Sequence, residues 1–224
     1  MRNIMQCSES VMVALLCLSM TAPSPAAKVT IDRNIGSDAS PAFKFKHVPS
    51  PVKENAASGA KLELVVGEAD DNGAGLTALN DGVLPIEEDD LERNFFFAAG
   101  SNGGRVLMDL GRSIDIAQVN TYSWHPNTRG PQVYTLFASD GADPKFNREP
   151  GDKTHPANCG WKLIASVDTR SSGAAGGGQY GVSIGNPSAS LGKFRYLLFD
   201  VVPTEMEDDW GNTFFSEINV IPIK

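Results

Sequence analysis

The chain has 224 residues, 41% hydrophobic and 21% charged, and its 27 acidic against 19 basic side chains give a net charge of −8. A surface of that sign argues against nucleic acid or an anionic membrane as partner and is compatible with neutral glycans or divalent cations. The length suffices to bury a sizeable core without covalent staples.

In chain order, residues 1–27 read as a secretory signal peptide. Arg2 supplies a short positive region, Val11–Met20 is an apolar run, and Ser24-Pro-Ala-Ala27 offers the small side chains a signal peptidase reads. The run is too short to cross ~30 Å of hydrocarbon as a helix, so no membrane span is expected after cleavage. The expected location is extracellular, or periplasmic and envelope-associated. Arg2 and Glu9 cancel, so removal of the leader keeps the charge at −8. Cys7 and Cys17 leave with it, and Cys159 remains as the only thiol, which rules out an intramolecular disulfide. One cysteine suits a bacterial envelope better than a disulfide-dense ectodomain. No histidine-plus-acid pattern accompanies Cys159, so it reads as a quiet thiol rather than a nucleophile.

Residues 28–59 are expected to form a loosely structured extension, because Asp38-Ala-Ser-Pro-Ala42 and Val48-Pro-Ser-Pro-Val52 are turn-rich and no period is sustained. The domain is expected over residues 60–224. Lys61–Val66 reads as a strand, followed by a glycine-rich loop to Gly82. Arg105–Gly111 and Val119–Trp124 read as two strands, and a polar loop, His125–Pro131, leads into a third, Val133–Gly141. Residues 142–160 form a long loop marked by Pro144, Pro150, Gly151 and Pro156. Lys162–Val167 follows Trp161, and the stretch 171–178 is too rich in glycine to hold one shape. Gln179–Ile184 is a weaker strand. Phe194–Val202 is apolar on both faces and reads as a central strand, and Phe214–Ile221 closes the chain. No window gives a capped amphipathic helix. The fold expected is an all-β antiparallel sandwich or barrel, with Leu136, Leu198, Ile218 and Val220 buried.

Six pieces fall in a familiar order: Leu79-Asn-Asp-Gly82, Val106-Leu-Met-Asp-Leu-Gly111, Phe137-Ala-Ser-Asp-Gly141, Trp161, Phe194-Arg-Tyr-Leu-Leu198 and Ser216-Glu-Ile-Asn-Val220. Over residues 60–222 the chain resembles the discoidin or coagulation-factor type C (F5/8 type C) domains of the galactose-binding-like superfamily. That resemblance implies an antiparallel jelly-roll β-sandwich with ligand loops at one end. The terminal cysteine pair of the coagulation-factor members is absent, Asn94-Phe-Phe-Phe97 replaces a Thr-x-Trp segment, and 142–160 is a long insertion. These departures point away from membrane binding and toward bacterial carbohydrate-binding modules.

A sugar is held by an aromatic face against its C–H patch and by planar or bidentate donors to its hydroxyls. Trp124, His125, Asn127 and Arg129 supply such groups, and the resemblance implies a histidine, an arginine and an asparagine in this role. The alternative is a core Trp124, an Arg129 paired with an acid and a loop that merely turns. Trp210, in Asp208-Asp-Trp-Gly-Asn212, is a second candidate platform unless it folds back on the sandwich end, and Tyr180 is a further candidate. The resemblance also implies a structural Ca2+, whose ligands are loop carbonyls and carboxylates. Asp81 and Glu217 occupy the matching positions, with Asn80 and Asp71 as helpers close in sequence. Otherwise Asp81 caps a turn and Glu217 pairs with a base. His47, His125 and His155 show no zinc spacing. Nucleophile-elbow, P-loop, zincin and dinucleotide signatures are all missing. The function expected is a secreted, non-catalytic module recognising glycan or cell-surface polysaccharide. The alternatives are a structural or adhesive envelope protein that contacts other proteins, and a glycan-active enzyme.

Overall fold

The computed structural model describes residues 27–170, 176–186, 190–205 and 210–224. The expected signal peptide, up to residue 26, lies outside the described residues, as do residues 171–175 of the glycine-rich stretch. Eight strands form: β1 (Lys28–Asn34), β2 (Lys61–Val66), β3 (Gly104–His125), β4 (Val133–Ser139), β5 (Lys162–Asp168), β6 (Gly178–Gly185), β7 (Gly192–Val201) and β8 (Phe215–Pro222). Every pairing between them is antiparallel. Helical structure among the described residues is limited to short 3-10 turns. The all-β antiparallel sandwich expected from the sequence is the architecture found.

β3 organises it. Its first part pairs with β2 and β7, and its last part with β6 and β8. Two sheets therefore share this strand: β5-β4-β7-β3-β2 and β1-β6-β3-β8. The two strands expected at 105–111 and 119–124 are one strand of 22 residues. Opposite β7 its register shifts between Asp109 and Ile114, and Gly111 sits at a φ of 75° that disfavours other residues. An irregularity of this kind bends a strand without ending it, so one chain segment serves both sheets.

Val106, Met108, Val119, Leu136, Ile184, Leu197, Phe199, Ile218 and Val220 fill the space between the sheets. β7 is buried on both faces, because Tyr196 and Leu198 point away from that core into a second cluster with Leu107, Phe137, Cys159 and Trp161. This outer face is covered by the 142–160 loop, whose Phe146 packs on it. The outer face of the other sheet carries Tyr122 and Trp124, covered by Phe43 and Val48 with Phe45 and Leu84 beside them.

The expectation of a loosely structured extension over 28–59 does not hold. β1 pairs with β6 along its whole length, and Phe43, Val48 and Ala57 are buried. The remainder is tied down by groups distant in sequence. Asp32 Oδ2 accepts from His47 N and from Val48 N (2.7 Å), and Pro49 O accepts from Tyr122 OH (2.7 Å). Asn219 Oδ1 accepts from Val52 N at 2.7 Å, and Ala56 N donates to Val220 O at 2.9 Å. Such a segment shows no period because it is not a repeating element, yet its backbone polar groups are satisfied.

Candidate functional site

β3 delivers His125 to one end of the sandwich, and the loop that follows carries Asn127 and Arg129. This loop rests on the backbone at 176–178. A Cβ at Gly177 would lie 2.0 Å from Pro126 O, so only glycine permits the approach. The last glycines of the 171–178 stretch are thus fixed in place, against the expectation that the whole run holds no shape.

Arg129 lies at the centre of the end. It is 8% exposed, and its guanidinium carbon is 3.9 Å from the Phe214 ring centroid, 4.8 Å from that of Phe96 and 5.5 Å from that of Trp210. Its Nε donates to Asn212 O (3.2 Å), and its own carbonyl accepts from Phe214 N (2.9 Å). Phe96 and Phe214 stack at 4.1 Å, which gives the cation a two-ring bed. Trp210 is 55% exposed. Its loop is anchored where Thr204 N donates to Gly211 O (2.8 Å), and the Thr204 hydroxyl contacts Thr128 O.

His125 stands against Phe214 at 4.6 Å, with Nε2 3.3 Å from Asp89 Oδ1. Its Nδ1 accepts from Asn127 N (3.2 Å), which leaves Nε2 to carry the proton toward Asp89. Burial drives the His125 pKa down to about 4; the positive charge of Arg129 acts the same way, against the opposing pull of Asp89. The ring is therefore neutral at neutral pH. Asp70 also faces Arg129. Burial opposes its charge, but donors from Asn72 and Ala99 and the Arg129 charge outweigh this and hold its pKa below the usual value. Asn127 is exposed, and its Oδ1 accepts from Arg129 N (3.4 Å).

Of the six expected ligand residues, the structure thus brings four together: His125, Asn127, Arg129 and Trp210. Trp124 and Tyr180 are 5% and 1% exposed, and neither presents a face to a ligand. Trp124 packs edge-on against Phe43 beneath the lead-in, and the Tyr180 hydroxyl donates to Gly176 O (2.9 Å). Successive residues of a strand point to opposite faces, so Trp124 and His125 cannot serve one site while both belong to β3. Sequence reasoning did not single out Asp70, Asp89, Phe96 or Phe214. A signal exists only for the aromatics: in Asn94-Phe-Phe-Phe97 the outer two rings meet at 5.1 Å in the core, which directs Phe96 the other way.

The expected metal residues divide in the same manner. Glu217 is buried. Its Oε2 accepts from Gly82 N (3.0 Å) and its Oε1 from Asn219 Nδ2 (3.0 Å). Burial raises its pKa to about 8, and the neighbouring Asp81 carboxylate adds to the rise. Asp81 itself is exposed and caps its turn through Val83 N (2.7 Å). A hard divalent cation would relieve a buried acid whose pKa a second acid raises further. Among the described residues no group of three or more His, Cys, Asp or Glu side chains could hold a metal, so carbonyls or water would have to complete the shell. Asn80 turns its amide nitrogen to Ala57 O (2.7 Å) and Ala60 O (3.1 Å), where it braces the loop. Asp71 is exposed beside Asp70, on the loop that faces Arg129.

No protein-family model and no curated protein matches the chain. Solved structures do resemble it. The family 32 carbohydrate-binding module of Clostridium perfringens NanJ, in complex with galactose, is 9% identical, with 74% of this chain and 96% of that one covered and a TM-score of 0.48. The lectin domain of lectinolysin with Lewis b is 14% identical, covering 79% of this chain and 100% of that one at a TM-score of 0.48. The module CpGH89CBM32-6 of Clostridium perfringens is 18% identical, covering 76% and 100% at a TM-score of 0.43. Among the described residues, no helix is long and apolar enough to cross a membrane.

Proposed function

We propose that this chain is a secreted, non-catalytic module that binds glycan at the His125–Arg129 end. One observation carries this: the exposed indole of Trp210 stands over the Arg129 guanidinium, with the neutral His125 imidazole beside Asp89 in the same cluster. The indole offers apolar area to a sugar ring. Asn127, Asp89 and Arg129 offer donors and acceptors for hydroxyls, and His125, with both ring nitrogens engaged, orients Asn127 and Asp89. The rings under Arg129 hold it in place, so little ordering entropy opposes binding. The apolar run Val11–Met20 followed by small residues at 24–27 supports secretion, and cell-surface glycan is the partner that location offers.

In the same reading calcium binds at Asp81 and Glu217 and neutralises the buried acid. A ligand that binds only the folded state raises its stability by mass action.

A glycan array in calcium and in chelator, repeated with Trp210→Ala and Asn127→Ala, tests both parts. Each substitution is expected to abolish glycan binding with the melting curve unchanged, since both side chains are largely exposed. Retained binding in both variants refutes the site. Chelator is expected to lower Tm in the wild type and to have no effect in Asp81→Asn; superimposable wild-type curves in calcium and chelator remove the ion.

A further inference from the structure

We propose a second ligand site, for an acidic saccharide unit, in a cleft on the outer face of the β1-β6-β3 sheet. The cleft encloses about 350 Å3, within the usual range for small-molecule sites. It lies on the sheet face, built by other residues than the Trp210 end.

The registers explain why it is there. Lys28 pairs with Gly185 and Gly185 with Gln118; Thr30 pairs with Ser183 and Ser183 with Asn120. Residues paired across strands share a face, so these side chains form two polar rows on one side of the sheet. The lead-in covers this face only in part, and its His47 forms a wall of the cleft. Gly185 contributes no side chain, which leaves the floor low where Lys28 and Gln118 flank it.

The lining decides the ligand class. Thr30, Gln118, Ser183 and Asn186 supply hydroxyl and amide groups, and Lys28 supplies a cation. Among the described residues, no carboxylate lines the cleft. The nearby Asp32 is engaged by His47 N, Val48 N and His47 Nδ1 (2.8 Å), which orients the ring and leaves Nε2 as its remaining polar atom. Gln118 Nε2 donates to the Ser183 hydroxyl, so the floor is held in position. Behind Ser183, the buried Asn120 Oδ1 has no hydrogen-bond partner, a further polar group on the same face. Hydroxyl-reading groups around one cation in a chain of net charge −8 select a sugar that carries a carboxylate. The comparable hollow over β4 and β7 has Asp168 and Asp200 in its lining and no cation among its described lining residues.

The test uses calorimetric titration with galacturonate trimer, and galactose trimer as the neutral control. Gly185→Ile is the blocking variant: a Cβ there comes no nearer than 3.5 Å to any atom, Ala117 O, so the larger side chain grows into the cleft without a backbone clash at Cβ. Lys28→Gln removes the cation at an exposed position. The expected result is that galacturonate trimer binds wild type and Trp210→Ala alike, that Gly185→Ile abolishes binding, and that Lys28→Gln weakens it at least tenfold. Loop-end glycan binding and Tm stay unchanged in both cleft variants. Loss of galacturonate binding in Trp210→Ala with retention in Gly185→Ile overturns the proposal, because the ligand then sits at the loop end. Binding of the neutral trimer to Trp210→Ala as tight as that of the acidic one, or no binding of the acidic one, also overturns it, and neither bears on the loop-end site. If Gly185→Ile lowers Tm, Lys28→Gln alone decides.

Discussion

Both sheets of this sandwich have their outer faces covered by irregular chain, and the two covers are fastened in different ways. Over β7 and β4, the 142–160 loop is organised by one side chain. Arg105 is 7% exposed; its Nη1 faces the carbonyls of Pro150 (3.1 Å), Gly151 (2.7 Å) and Thr154 (2.8 Å), and its other nitrogens meet Asp200 at 2.9 and 3.1 Å. Phe146 stacks on Tyr196 at 5.1 Å, and Trp161 Nε1 donates to Asn147 O at 2.8 Å. Over β3, β6 and β8, the lead-in is held by separate hydrogen bonds at Asp32, Tyr122, Asn219 and Asn55, spread along its length. Concentrated fastening gives a filled face. Distributed fastening leaves gaps between the ties, and the Lys28–Gln118 cleft is one of them.

The largest effect that would separate the two covers is expected at Arg105. Arg105→Ala strips three carbonyls of a donor and leaves Asp200 without its cation. The cost is about 3 kcal/mol, discounted from the value for a fully buried pair because Asp200 is partly exposed. Urea unfolding measures it, and amide exchange should accelerate throughout 145–160 as a unit. A loss below about 1 kcal/mol, or exchange confined to a few residues, would show that this cover is distributed too.

Glu217 gives the next largest effect, on the lead-in side, where it accepts from Gly82 and from the Asn219 that holds Val52. Its folded pKa is raised to about 8 from an ordinary 4.5. Between these values the folded chain holds a proton that the unfolded chain has released, so stability falls as pH rises. His125 acts in the opposite sense. With its pKa lowered from 6.5 to about 4, it costs stability as pH falls through that interval. Above pH 6.5 only Glu217 of the two titrates. In chelator, the wild type should lose on the order of 2 kcal/mol from pH 6.5 to 8.5, and Glu217→Gln should remove most of that slope. Parallel slopes in the two proteins would mean that Glu217 is ionised in the fold.

These contrasts also explain what could be read from the residues alone. Short strand-like runs marked β2, β4, β5 and β8, and two-sided apolarity marked β7 as central, because such patterns are imposed by burial of the segment itself. The lead-in was opaque because its order depends on Asp32, Tyr122 and Asn219, none of which signals it from within 39–57. The site loop at 125–129 was legible as a cluster of residue types. Side-chain direction was not: Trp124 was grouped with His125 although β3 continues through both and sends them to opposite faces. The exposure of Trp210 was legible, and its place over Arg129 was not, since two loops far apart in sequence meet there.

Asp32→Ala should cost about 1–2 kcal/mol, because the amides of His47 and Val48 lose their acceptor. The effect should appear as faster proteolysis between residues 40 and 52, with the 142–160 loop unaffected. Cleavage rates that rise equally in both covers would mean that they unfold together and that the distinction between them has no energetic content.

The smallest effect is the sharpest test of distributed fastening. Tyr122→Phe deletes one hydroxyl whose bond to Pro49 O spans 2.7 Å, and it keeps the ring that stacks near Phe45 at 6.3 Å and meets Phe43 edge-on. The packing contribution survives, so only the hydrogen bond is lost, and Pro49 O is near enough to the surface to recover water. A net cost of about 1 kcal/mol or less is expected, with local exchange rising around Val48 and no change elsewhere. If the lead-in is instead held as a single cooperative unit, this one hydroxyl would release all of it. Tyr122→Phe would then match Asp32→Ala in both Tm and proteolysis, and the two covers would differ only in their chemistry.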